Sequence, residues 1–348
     1  SITRPAWLAA GAGVYCAALV ALSLVHLVAP QRSGLLAITQ VFAPHLFLPL
    51  VLLVPLAIAR GTTAARVAIV AAAVIGVVRF APGMVSLPPA PTEAAEPVAV
   101  LTWNLAAGQA AGHLLIERLL ASEADVVGLQ EVRAEHVAAI EASDELTARF
   151  PYRVLEPRPG VLGMALLSRF PILDSTSADS PPLIVATVRG PGEREITLAT
   201  AHPLPAQIRL VGGLVPVGYD ATARDAALAE VRSAVEEWGT APVIVLGDFN
   251  VTDREPGYAE LTAGFVDAHA AVGIGPGSTW RPATLDFLPF GVLRIDYVFT
   301  GEGVRPLSSA VECITNAGDH CIVTAVLQHE QADLPRGLGP RTVFGKSN

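Results

Sequence analysis

Hydrophobic positions follow two regimes along this chain. Up to Phe80 they run almost unbroken, and from Val98 they come in short blocks separated by polar and amphipathic segments. In the first regime three stretches have the length of a bilayer crossing: Trp7 to Val28, Leu35 to Ala59 and, at the lower limit, Ala64 to Phe80. The second contains Pro44, His45, Pro49 and Pro55. Prolines are tolerated in membrane helices, so the pattern predicts one broken span there rather than two soluble helices. The first stretch is too long for the apolar part of a signal peptide and lacks a clear small-x-small cleavage pattern. Residues 1–80 are therefore expected to form a membrane domain of three transmembrane helices. The proline-rich segment APGMVSLPPAPTEAAEP, Ala81 to Pro97, reads as the linker that ends it.

Beyond the linker the blocks have strand length. They are Val98 to Trp103, Ala124 to Val132, Met164 to Ser168, Leu183 to Val188, Glu195 to His202, Val243 to Gly247, Arg294 to Phe299 and Cys321 to Leu327. A continuous run such as VIVL marks a strand buried on both faces. Ala111 to Ser122 and Ala221 to Trp238 read as helices. The second turns Ala226, Ala227, Val231, Ala234 and Val235 toward a core and acids outward. An α/β domain over 98–330 follows, with a Pro- and Gly-rich tail over 331–348.

Polar groups recur where these strands end. Asn104 follows the first, Glu131 closes the second, and His202 ends EITLATAH. Asp248 and Asn250 follow VIVLG, Asp296 lies in RIDYVF, and Asp319-His320 precede the last strand. Singly, each is accounted for by a turn or a satisfied core histidine. Together they resemble a site placed along one rim of a rigid scaffold.

The ordered set TWN, LQEV, LLSRFPI, AHP, GDFN, RIDYVF and GDH resembles the endonuclease/exonuclease/phosphatase superfamily, over Val98 to about Leu327. That superfamily includes pancreatic deoxyribonuclease, abasic-site endonucleases, sphingomyelinases and inositol polyphosphate phosphatases. The resemblance implies a four-layer α/β sandwich, two mixed sheets flanked by helices, and metal-dependent hydrolysis of a phosphate ester or anhydride. It implies Glu131, Asn104 and Asp319 around Mg²⁺, with Mn²⁺ or Ca²⁺ as alternatives; oxygen ligands suit such hard ions. It implies Asp248 on the attacking water, Asn250 and His202 on the phosphate, and His320 paired with Asp296. The one departure is Gly318, where the more usual pattern is Ser-Asp-His.

Charge narrows the substrate. The whole chain carries a net −9. From Val98 onward 18 basic residues stand against 30 acidic ones, a net −12. Tight non-specific binding to duplex DNA is not expected from that balance, since it rests on neutralising phosphates. With three spans, Arg4, Arg60 and Arg66 lie on one side and Arg32 and Arg79 on the other. This count puts the α/β domain outside the cytoplasm. Three membrane helices before this domain resemble the VanJ-type teicoplanin-resistance proteins of actinobacteria, themselves similar to undecaprenyl-pyrophosphate phosphatases with an external site. The expected substrate is thus a lipid phosphate or pyrophosphate at the outer face of the cytoplasmic membrane. Two apolar loops beside site residues, Leu204 to Tyr219 and Leu285 to Leu293, either face the bilayer or pack on the protein. The alternatives are a membrane-tethered nuclease and a non-catalytic subunit of a membrane complex. Of the three cysteines, Cys16 lies in the first span. Cys313 and Cys321 form either a disulfide or, on the simpler reading, two free buried thiols on separate strands.

Overall fold

The computed structural model describes residues 6–60, 62–82, 84, 86, 96–106, 109–212, 215–239 and 242–329. Most of the expected linker, all of the expected tail and Leu214 lie outside the described residues.

The amino-terminal region holds four helices: α1 (Ala6–Val28), α2 (Gly34–Val41), α3 (Leu50–Arg60) and α4 (Thr63–Phe80). By length and composition α1 and α4 can each cross a membrane. The stretch between them is bent by 76° between Gly34–Val41 and His45–Pro55, and counts as a third crossing only if the bent pair is one span. The break falls at Pro44, where a missing amide and a fixed φ end the helix. Helices α1, α3 and α4 pack through Cys16, Leu19, Leu50, Ile69 and Ala72. Their outward faces remain apolar, with Val51, Leu52, Val77 and Val78 exposed. Helix α2 packs Ala37 and Val41 against Tyr219 and Ala221 of the α/β domain.

The α/β domain continues with β1 (Val98–Asn104), α5 (Gly112–Ala121), β2 (Val126–Gln130), α6 (Ala134–Ala142), α7 (Asp144–Arg149), β3 (Tyr152–Glu156) and β4 (Met164–Ser168). Next come β5 (Ile172–Asp179), β6 (Pro182–Arg189), β7 (Glu195–Ala201), β8 (Gln207–Val211), β9 (Val215–Asp220), α8 (Thr222–Trp238) and β10 (Val243–Asp248). The last elements are α9 (Pro256–Leu261), β11 (Val266–Asp267), α10 (Ala268–Val272), β12 (Asp296–Thr300), β13 (Val304–Glu312) and β14 (Ile322–His329). Two six-stranded mixed sheets run β13-β14-β1-β2-β4-β3 and β11-β12-β10-β7-β6-β5, while β8 and β9 form a separate hairpin.

Alternation along the strands builds the layers. Val100, Val126, Leu166, Leu198, Leu246 and Val323 point between the sheets. Their neighbours Leu101, Val127, Leu129 and Leu167 point out against α5 to α7, and Val245, Phe299, Leu228 and Val231 join the second sheet to α8. Helices, two sheets and helices make the expected four-layer sandwich. Every expected strand is present. The sequence missed β3, β5, β11 and β13, which are edge strands, and read the β8–β9 hairpin as an apolar loop. An edge strand is buried on fewer sides, so ILDSTSAD of β5, almost wholly exposed, carries no apolar run.

One expectation is overturned. Cys313 and Cys321 are disulfide-bonded, with Cα atoms 4.2 Å apart. The β13–β14 ladder pairs Glu312 with Ile322, which sets the next two residues opposite each other at its end.

Candidate active site

Each sheet contains one parallel pair, β1 with β2 and β7 with β10. The carboxyl ends of all four strands lie on the same rim. Asn104 aligns with Gln130, next to Glu131, and Gly247 aligns with Ala201, next to His202. The antiparallel β10–β12 ladder sets Asp248 opposite Asp296. His320 arrives from the turn before β14. Sheet register, not local sequence, therefore brings six polar groups together.

Backbone geometry at these ends is unusual. Gly247 has φ 148°, and a Cβ there would sit 2.1 Å from Ala201 O, so only glycine lets β10 approach β7 just before Asp248. Glu131 (φ 57°) and Asn250 (φ 50°) adopt the left-handed region, which costs a non-glycine residue on the order of 1 kcal/mol. Strain of this kind collects where surrounding contacts impose a working geometry. Asp248 Oδ1 accepts from Asn250 N at 2.9 Å, which helps fix that turn.

Asn104 brackets two acids. Its Nδ2 donates to Glu131 Oε1 (3.1 Å) and Asp248 Oδ2 (2.9 Å), and its Oδ1 accepts from Ala106 N. His202 donates through Nδ1 to Val161 O at 3.0 Å, leaving Nε2 3.4 Å from Asp248 Oδ2 and 3.7 Å from Glu131 Oε1. His320 Nδ1 lies 3.1 Å from both Asp296 oxygens, and its Nε2 is 3.7 Å from Asp248 Oδ2. All but Glu131 are buried.

Burial alone would strip His320 of its charge, but the Asp296 and Asp248 carboxylates outweigh it and push its pKa up to about 10. His202 is raised the same way, burial opposing and Asp248 prevailing. Burial also opposes the charge on Asp248, yet His320 and His202 hold its pKa below the ordinary value. Asp296 is pushed up by burial and by the charge of Asp248, against the pull of His320. The site is thus a compact set of alternating charges able to offer donors and carboxylate oxygens at once.

The two remaining expected residues sit at its margin. Asn250 Nδ2 donates to Pro203 O at 3.1 Å, and its carbonyl accepts from the buried Arg224 at 3.0 Å. Asp319 Oδ2 accepts from Trp280 Nε1 at 3.1 Å, while its Oδ1 is buried with no partner among the described residues. The orphan Asp319 oxygen and the Glu131 carboxylate are hard oxygen donors, a chemistry that suits a divalent cation. Asp248, Asp296 and His320 also lie close enough to hold an ion, within 4.8 Å of one another. An imidazolium has no free lone pair, so His320 in its charged form does not serve.

The segment Thr279-Trp280-Arg281 was missed by sequence reasoning. Thr279 Oγ1 donates to Asp296 Oδ2 at 2.5 Å, and buried Arg281 donates to the carbonyls of Ile314 and Gly318. Its only sequence signal is a Thr-Trp-Arg run between Gly277 and Pro282, away from any strand end. Arg224 was missed likewise, as one polar residue of an amphipathic helix.

The sequence family described as Endonuclease/Exonuclease/phosphatase family matches residues 101–320. Among solved structures, the endonuclease/exonuclease/phosphatase from Bacteroides vulgatus is similar at 19% identity and TM-score 0.52, covering 68% of this chain and 100% of that one. A family protein from Bacteroides thetaiotaomicron gives 17% and 0.51, covering 68% and 99%. D. rerio TDP2 complexed with single strand DNA product gives 19% and 0.50, covering 67% and 99%. At such identities the likeness is one of fold. No curated protein sequence matches this chain.

Proposed function

The chain belongs to the endonuclease/exonuclease/phosphatase family, and from that premise we propose that it is a divalent-metal-dependent phosphohydrolase. Its substrate on this reading is a lipid phosphate or pyrophosphate at the outer face of a cytoplasmic membrane. Members of the family are usually metal-dependent hydrolases of phosphoesters. Residues 98–330 form the catalytic domain and residues 1–80 the anchor.

Glu131, with Asp319 and Asn104, would hold the metal, which when bound supplies positive charge at a phosphate oxygen. Asp248 accepts a proton from, and orients, the attacking water. His320 in its charged form, fixed by Asp296, presents Nε2–H to the phosphate, and His202 presents a second donor. Asn250 adds a third from the turn after β10. Preorganised donors facing developing charge are the main source of catalysis in such chemistry.

One observation carries the lipid reading: the apolar surface of the α/β domain lies beside the helices. The β8–β9 hairpin exposes Ile208, Leu210, Val211, Val215 and Val217, and Phe287 and Phe290 are exposed on the other expected loop. Tyr219 of that hairpin and Leu293 after that loop belong to one cluster with α2. The Cys313–Cys321 disulfide supports an oxidising, external compartment. The net charge of the domain speaks against the tethered-nuclease alternative.

The test is phosphate release from a polyprenyl pyrophosphate by the reconstituted full chain, with plasmid DNA in parallel. Release is expected with Mg²⁺ and not with chelator, and Glu131→Gln should lower it at least 100-fold with the fold intact. Cleavage of DNA alone, or a fully active Glu131→Gln variant, would overturn the assignment.

A further inference from the structure

A second site lies where the amino-terminal helices meet the α/β domain. Between them is a cavity of about 520 Å³. One wall is apolar, formed by Val41, Leu48 and Phe80 from the helix region, Met84 just beyond it, and Phe290 and Leu293 from the domain. Leu48 and Phe290 are 62% and 58% exposed, so this wall continues onto apolar outer surface. Phe47, next to Leu48, begins a groove of about 410 Å³ between α3 and α4 that runs past Val51 and Val77.

The same cavity is lined by basic residues. His45, Arg254 and Arg294 each have a buried nitrogen with no hydrogen-bond partner among the described residues: His45 Nδ1, Arg254 Nε and Arg294 Nε. Arg294 is only 8% exposed. Asp253 is shared between Arg254 at 3.2 Å and Arg294 at 3.0 Å, the first without hydrogen-bond alignment, and Asp267 takes Arg294 at 2.9 Å. Arg79 lies close by, outside the lining. It and Arg254 each lie 5.0 Å from the Phe80 ring, and Arg79 Nη1 is also buried without a partner among the described residues. Two arginines and a histidine thus stand beside two carboxylates, in a domain with a net negative charge. Buried donors without partners are rare, and water, an ion or a ligand normally fills such a gap.

An apolar slot beside basic side chains that keep buried nitrogens open, at the level where the helices end, has the chemistry of a phospholipid. We propose that this junction cavity binds one anionic phospholipid of the surrounding bilayer, with its phosphate among His45, Arg254 and Arg294. One acyl chain lies along Leu48 and Phe80 toward the α3–α4 groove. The site is distinct from the candidate active site but shares a loop with it, since Thr252 and Asp253 line the cavity just after Asn250. The proposal rests on the part of the functional reading that places the helices in a bilayer, and not on hydrolysis.

The test uses the full chain in nanodiscs of equal phosphatidylcholine and phosphatidylglycerol. Lipid retained on release is read by native mass spectrometry, and a photoreactive phosphatidylglycerol is mapped by peptide mass spectrometry. One retained phosphatidylglycerol is expected, with cross-links in segments 44–48, 80–84 and 290–293. Arg254→Gln should reduce retention at least tenfold. Phe290→Glu, at the exposed rim where folding is not at stake, should reduce the cross-links. Equal retention of phosphatidylcholine, cross-links confined to the outer helix faces, or unchanged retention in both variants would overturn the site. Phosphate release is measured on the same preparation. Hydrolysis without selective retention rejects the lipid site alone, retention without hydrolysis rejects the enzymatic reading alone, and failure to enter nanodiscs rejects both.

Discussion

His320 is the residue on which the charge balance of the site turns. Its folded pKa of about 10 lies above the ordinary 6.5, because Asp296 and Asp248 outweigh its burial. A group raised on folding stabilises the fold fully below its unfolded pKa and loses that contribution as pH rises through the folded value. Chelator-treated protein should therefore show a stability advantage over His320→Gln that is largest near pH 6 and shrinks as pH climbs toward 10. Thermal unfolding of both proteins across that range checks it. An advantage independent of pH would mean that the imidazole acts by packing rather than by charge. The lowered pKa values of His136 and His269, where burial dominates, act with the opposite sign and are common to both proteins, so the difference reports His320 together with the carboxylates it pairs with.

At the scale of elements, the β8–β9 hairpin is the least soluble-looking piece of the α/β domain. Its sequence alternates poorly, and Ile208, Leu210, Val211, Val215 and Val217 are exposed. Each such side chain gains on the order of 1 kcal/mol when moved out of water. Ser at both Leu210 and Val215 should slow turnover of a long-chain lipid phosphate several-fold and leave a short water-soluble ester unchanged. Steady-state rates on the two substrates decide this, and equal losses would place the hairpin's effect in folding. Helix α2 is tied to the same region. Ala221 N donates to Arg32 O, Gln40 donates to Arg254 O at 2.7 Å, and Arg32 pairs with Asp225 at 2.5 Å. Asp225 in turn pairs with Arg224, which holds the Asn250 carbonyl. The turn carrying Asn250 is thereby braced from the amino-terminal helix region.

For the whole molecule, the proposed membrane reading makes the disulfide and the direction of insertion one question. Cys313 and Cys321 are bonded, and Cys16 is the free cysteine among the described residues. Protein purified under non-reducing conditions and denatured should show one titratable thiol, rising to three after reduction. Three before reduction would count against both the bridge and an external domain, since bridges persist in oxidising compartments.

The sequence by itself determined the strands that are flanked on both sides, the broken second apolar stretch and the polar groups that stand at strand ends, while register decided that they share one rim. The first three are local consequences of apolar runs and of where they stop. Edge strands β3, β5, β11 and β13 left no such trace, because a strand with one neighbour is not obliged to be apolar. The pairing of Cys313 with Cys321, the seat of α2 on β9 and the place of Thr279 behind Asp296 were decided by register and docking between distant segments. So was the junction cavity, whose arginines and leucine look like ordinary surface and membrane residues until the helices and the sandwich are brought together. Contacts of that kind depend on two surfaces at once, and a linear pattern records only one of them.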